Sequence, residues 1–166
     1  MSDASTEAPA IFSPDRRYRY VLRRQVGFGD GHGRCLFICL NPSIADETTD
    51  DPTVRRCIGF ARTWGYRELS VVNIFALRST NPDALRQFTD PIGPENDRHI
   101  RIEAEWVDRI VVAWGNHGAY RGRSSEVQVL LRGLRRKCFG LTKAGEPRHP
   151  LYLAKDTELQ EFPYHV

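Results

Sequence analysis

Nothing in these 166 residues is long and apolar enough to span a membrane. The longest uninterrupted apolar run, Cys35-Leu36-Phe37-Ile38-Cys39-Leu40, is far short of the roughly twenty residues a spanning helix needs. The start, Met1-Ser2-Asp3-Ala4-Ser5-Thr6-Glu7, lacks the basic and apolar regions of a secretory leader. A cytoplasmic location with no membrane partner is the expectation. Cysteine is scarce: Cys35, Cys39, Cys57 and Cys138 form no CxxC pair, which argues against a zinc ribbon or a disulfide framework. They read as small buried hydrophobes. Net charge is only +3, too little for a dedicated nucleic-acid binder, though compatible with an anionic ligand. Walker loop, nucleophile elbow, internal repeat and low-complexity tract are all absent.

What remains is ordinary for a soluble globular chain, with 40% hydrophobic and 27% charged residues. The length fits one domain. Residues 1–14 are small, polar and proline-bearing and read as a disordered tail, leaving 15–166 as a single domain. Its centre is the run Cys35 to Leu40, suited to a strand buried on both faces and stopped by Asn41-Pro42.

Around it, Arg17 to Val26 alternates Tyr18, Tyr20 and Leu22 with arginines, the period of a half-exposed strand. The glycines from Gly27 to Gly33 precede a strand, so they predict a flexible hairpin and not a phosphate cradle. Asp51-Pro52 marks a helix start, with Val54, Cys57, Ile58, Ala61 and Trp64 on one face and Gly65 at the end. Leu69 to Asn73 is a second buried strand. Asn81-Pro82 caps a short helix, and Pro94 to Val107 carries Ile100, Ala104 and Val107 on one face. Arg109 to Trp114 is a third core strand. Ser124 or Ser125 caps a helix with Val127, Leu130, Leu131 and Leu134 on its stripe, and a short strand follows around Cys138 to Leu141.

Alternating strands and helices predict an α/β fold: a mostly parallel sheet of about four core strands with helices on both faces. In such a sheet the loops after the strands share the carboxyl edge. Asn41, Asn73, Asn116 with His117, and His149 should therefore line one crevice.

The chemistry open to these residues is limited. An asparagine amide offers a donor and an acceptor side by side, suited to a base edge or a positioned water. It also suits the capping of a loop backbone. Asp46, Asp50 and Asp51, with Glu47, form the carboxylate cluster near a strand end. A divalent cation needs several converging oxygens, whereas acids adjacent in a loop more often solvate it or cap a helix. No metal or cofactor is expected. His99 falls in a helix, and His32 and His165 in a hairpin and a tail. The basic run Arg132 to Lys137 reads mainly as a solvated helix end complementing the dipole, and with Arg121, Arg123 and Arg148 it is also compatible with flanking a phosphate-bearing ligand.

Five segments together look like an uncharacterised bacterial family of unknown function. They are Asn41-Pro42-Ser43, Asp51-Pro52-Thr53 with Arg55-Arg56, and Val71 to Thr80 (VVNIFALRST), then Trp114-Gly115-Asn116-His117-Gly118, then Pro147 to Leu153 (PRHPLYL). The likeness runs from about Arg17 to Leu153. More distantly, the order of motifs resembles the uracil-DNA glycosylase superfamily, whose site combines a water-positioning Asp or Asn near a proline, a base-reading Asn and a late His-Pro loop.

That resemblance implies a uracil-DNA-glycosylase-like fold and assigns roles. Asn41 would position the attacking water, Asn73 would bind the base edge, and His149 would stabilise charge on the leaving base. Phe75 or Tyr152 would stack on the base, with Pro42, Ser43, Trp114, Asn116 and His117 around the pocket. Two departures stand out. Asn41 replaces the aspartate of the fastest members, and Leu151-Tyr152 replace a serine-containing segment that contacts DNA. The expected activity is a nucleobase N-glycosidase acting on a modified or deaminated base in DNA or a nucleotide. A non-catalytic module binding a nucleotide or modified base, and a metal-dependent phosphoester hydrolase built on Asp46, Asp50 and Asp51, stay open beside it.

Overall fold

The computed structural model describes residues 7–27 and 32–163, with only the backbone of His32 included. Seven strands form one sheet: β1 (Ala10–Phe12), β2 (Arg19–Gln25), β3 (His32–Cys39), β4 (Tyr66–Asn73), β5 (Arg109–Val112), β6 (Lys137–Cys138) and β7 (Gln160–Glu161). Their order across the sheet is β1-β2-β4-β3-β5-β6-β7. The pairings β4–β3, β3–β5 and β5–β6 are parallel, and β1–β2, β2–β4 and β6–β7 are antiparallel. The sheet is therefore mixed and wider than the mostly parallel one expected. The reason is that β2, expected as a strand, pairs antiparallel with β4, and the short strands β1 and β7, which carry no periodic signal, extend both flanks.

Each helix forms where the sequence caps it and leaves it an apolar stripe. In α1 (Pro52–Thr63) Asp51 accepts from the Val54 backbone N–H at 2.8 Å, proline occupies the first turn, and Val54, Cys57, Phe60 and Ala61 are buried. In α2 (Asn96–Glu105) Ile100 and Ala104 are buried, and in α3 (Arg123–Leu130) Val127 is. Alternate residues of β3 face different cores. Leu36 and Ile38 pack with residues from α2 and α3, and Cys35, Phe37 and Cys39 pack with those from α1. Helices cover both faces. All four cysteines are free and buried.

Several local expectations need correcting. Ala10–Phe12 lies inside the expected tail but pairs with β2. The start of β2 is fully buried, not half exposed. The link after β2 is no hairpin, because β4 stands between β2 and β3; residues 28–31 of that link lie outside the described residues. A Cβ at Gly27 would sit 2.6 Å from the Tyr66 carbonyl oxygen, so glycine is required where the chain crosses the start of β4. Neither serine caps α3: Gly122 holds that position, and Ser124 Oγ donates to Glu146 at 3.0 Å. Leu134 falls beyond that helix, and the strand expected at Cys138 to Leu141 is Lys137–Cys138.

Among the described residues no helix is long and apolar enough to cross a membrane.

Candidate functional site

β3, β4, β5 and β6 run parallel, so the loops after them meet at one edge. Asn73 is the last residue of β4 and lies opposite Cys39, the last residue of β3. Asn41 follows two residues later. The His149 loop joins the same edge through Gly115, just past β5, whose N–H donates to the Pro147 carbonyl at 2.8 Å. Asn41, Asn73 and His149 thus belong to one edge of the sheet.

Their surroundings differ. The Asn41 amide nitrogen donates to the carbonyls of Ser79 at 3.0 Å and Pro42 at 3.1 Å, with a longer contact to Leu77. It straps the loop after β4 to the loop after β3, and a carboxylate in its place would supply no donor to those carbonyls. Asn73 is 2% exposed, and its Nδ2 has no hydrogen-bond partner among the described residues. A buried amide donor left unsatisfied costs about 1–3 kcal/mol. Its backbone is held firmly by Asn96, which the sequence did not single out, and by Arg123, which the sequence placed beside a phosphate. Buried Asn96 donates to the carbonyls of Asn73 at 2.8 Å and Ile74 at 3.2 Å, and buried Arg123 donates to Ile74 at 2.7 Å.

The guanidinium of Arg123 also pairs with Asp97 at 2.6 Å and Glu126 at 3.2 Å. It is a strut for β4 and not a free phosphate contact. Only the run of polar residues at the start of α2 hinted at this. Of the basic run, Arg136 is buried and Arg135 pairs with Glu161.

His149 is half buried on a well-braced loop. Trp114 Nε1 donates to one Glu146 oxygen at 2.6 Å and Ser124 to the other, while Thr142 donates to Asn116 Oδ1 at 2.6 Å. A Cβ at Gly118 would lie 2.1 Å from the Trp114 ring, which is why the chain there closes over the indole only with glycine. The Leu151 N–H donates to His149 Nδ1 at 3.2 Å. Burial pulls the His149 pKa below the ordinary imidazole value, while the Asp51 carboxylate pulls it the other way. The neutral ring therefore carries its proton on Nε2.

Asp51 is buried too, and its charge acts on a second group. Arg19 at the start of β2 is 2% exposed and donates to the Ala45 carbonyl at 3.0 Å. Burial lowers its pKa to about 10, against the pull of Asp51. Alternation along β2 had read this arginine as solvent-facing.

The remaining expected residues divide. Phe75 is wholly buried, its ring tilted against Tyr120 in the core, and Trp114 is 1% exposed. Neither offers a ring face to a ligand. Pro42 is buried and Ser43 half buried beside Asn41, whereas Asn116 and His117 are exposed. Tyr152 is 94% exposed with φ of 73°, on the turn closed by Leu153 N–H to the Pro150 carbonyl.

The acidic loop does not converge. Asp46 accepts from the Thr48 and Thr49 N–H groups, Asp50 pairs with Arg24 at 2.8 Å, Glu47 with Arg16 at 2.6 Å, and Asp51 caps α1. Among the described residues no three His, Cys, Asp or Glu side chains are grouped to hold a metal ion.

The family model described as protein of unknown function (DUF1643) matches residues 19–151, a span from the start of β2 to the turn after His149. The chain belongs to this family. No curated protein and no solved structure matches. The matched span of this DUF1643 chain contains Asn41, Asn73, Asp51 and His149 together with their struts Asn96, Arg123 and Glu146.

Proposed function

We propose that this chain is a nucleobase N-glycosidase of the uracil-DNA glycosylase type, with a matching fold, acting on a modified or deaminated base. The observation that carries the reading is the Asn73 amide: buried, rigidly mounted at the carboxyl edge, and without a partner for its N–H2 among the described residues. A base carbonyl is the group that relieves that cost on binding. His149 supports the reading from the leaving-group side. A neutral imidazole with its proton on Nε2 donates to the oxygen on which negative charge develops as the base departs. Asn41, whose Nδ2 is spent on the backbone, has Oδ1 left to accept from the attacking water.

The hydrolysis then balances simply. Water held at Asn41 adds its oxygen to C1′ of the sugar as the bond to the base nitrogen breaks. The electron pair leaves with the base, which His149 stabilises, and the water proton ends on the solvent or the base.

A non-catalytic binding module uses the same Asn73 donor, so affinity alone does not separate it from an enzyme. The phosphoester hydrolase loses support because each acid of its loop is committed to a different partner. The test of the base contact is side-chain amide NMR. Uracil added to the protein should shift the Asn73 NH2 resonances strongly and downfield, and an unchanged Asn73 signal at saturating uracil removes the contact.

A further inference from the structure

We propose that a cavity of about 360 Å³ on α1, walled by Arg55, Arg56 and Lys155 with Phe60 beneath, binds a phosphate group of the nucleotide substrate. Assigning that phosphate to a nucleotide rests on the glycosidase reading; the anion site itself does not.

The charge is the first argument. Several arginines are matched to acids, as with Arg16 to Glu47, Arg23 to Glu103, Arg24 to Asp50, Arg34 to Glu68 and Arg123 to Asp97. Among the described residues Arg55, Arg56 and Lys155 have no carboxylate partner. Two of them lie on α1, Arg55 exposed and Arg56 half buried.

Preorganisation is the second. Arg56 is half buried, its Nη2 donating to the Leu153 carbonyl and its guanidinium 5.2 Å from the centre of the Phe60 ring. Its Nε is buried and has no hydrogen-bond partner among the described residues. Arg55 is anchored by its bond to the Asp50 carbonyl at 3.0 Å. The fork is in place before any ligand arrives, over an apolar floor that strengthens a charge-assisted bond.

Position is the third. Leu153 lies four residues beyond His149, so Arg56 fastens the cavity to the His149 loop. Exposed Tyr152 stands next to Leu153. Cations beside an outward aromatic ring are the combination that tracks a nucleic-acid strand, the ring stacking a base and the cations meeting its backbone.

The probe is a fluorescein-labelled single-stranded oligodeoxynucleotide followed by anisotropy at several salt concentrations. Arg55→Glu and Lys155→Glu change exposed side chains and should leave the melting temperature unchanged. Each should weaken binding by about tenfold and lower the slope of log K against log salt by about one. Arg98→Glu, an equal change of charge at a different cavity, should have little effect. Equal weakening by all three variants, or no binding by the unmodified protein, overturns the site. Displacement by deoxyuridine monophosphate assigns the phosphate to free nucleotides, and resistance to it assigns the phosphate to a strand. Loss of binding in both cavity variants, with no base released from any substrate, keeps the anion site and removes the glycosidase.

Discussion

The backbone N–H of Leu151 donates to Nδ1 of His149, two residues earlier in the chain, at 3.2 Å. One hydrogen bond within one turn thus decides which ring nitrogen carries the proton, and Nε2 is left as the donor. His149→Ala should lower the rate of base release by about a hundredfold or more, as loss of a donor to developing charge does. His149→Gln keeps a donor at similar reach and should recover part of that loss. Single-turnover kinetics on the two variants measures the difference.

The same burial gives a pH signature. Burial lowers the native pKa of His149, and burial with help from Arg98 lowers that of His99, below the ordinary 6.5. Between the native value and 6.5 the unfolded chain binds protons that the native chain does not. Stability is therefore fully present above about pH 6.5 and falls as the pH drops through that window. Urea midpoints measured from pH 7.5 to 5 should decrease, and less steeply in His149→Gln. A flat profile contradicts the burial assigned to these rings.

Asp51 has two tasks that substitution separates. Asp51→Ala removes the cap on Val54 and the charge that opposes burial of Arg19 and His149. It should cost more than the ~1 kcal/mol of an ordinary cap. Asp51→Asn keeps the cap and loses only the charge. The difference between the variants in denaturant unfolding reads the electrostatic part. Addition of Mg²⁺ or Mn²⁺ should leave the melting temperature of the unmodified protein unchanged.

Asn41 cannot be exchanged for aspartate without loss, even though the fastest members of the resembled superfamily carry one. Its Nδ2 is the donor that ties Pro42 to Ser79. Asn41→Asp faces those carbonyls with a carboxylate and should destabilise by about 1–3 kcal/mol. Asn41→Ala should abolish turnover with a smaller effect on ligand affinity, since a positioned water matters mainly to the reaction. Chemical denaturation and ligand titration of both variants check this pair.

The parts of the fold legible in the sequence were those fixed by neighbours in the chain. Asp51-Pro52 specifies a helix start through bonds spanning three residues, and the apolar run ending at Asn73 specifies a buried strand end. Long-range partners were not legible. Adjacency of β2 and β3 in sequence implied a hairpin, yet β4, which follows β3 in the chain, lies between them. Arg19 and Arg123 read as surface charges because nothing local reveals that the Ala45 carbonyl and Asp97 come to meet them. Phe75 read as a stacking ring because a strand-end aromatic looks the same whether it faces a crevice or the core. The edge on which the candidate site sits followed from topology; the struts beneath it required coordinates.

The recognition step has its own variant. Asn73→Asp preserves shape but puts an acceptor where the unpartnered donor stands. A base presenting a carbonyl is then repelled and one presenting an amino group is favoured, so the preferred base should change rather than all binding vanish. The measurement that bears most directly on the central claim is release of free base. The protein is incubated with modified-base oligonucleotides and with free nucleosides, and products are separated by chromatography and weighed by mass spectrometry. The account predicts a free base and its sugar product from at least one substrate, abolished in Asn41→Ala and reduced about a hundredfold in His149→Ala. Tight binding of a base or nucleotide with no base released, by the unmodified protein under any of these conditions, contradicts it and leaves a binding module.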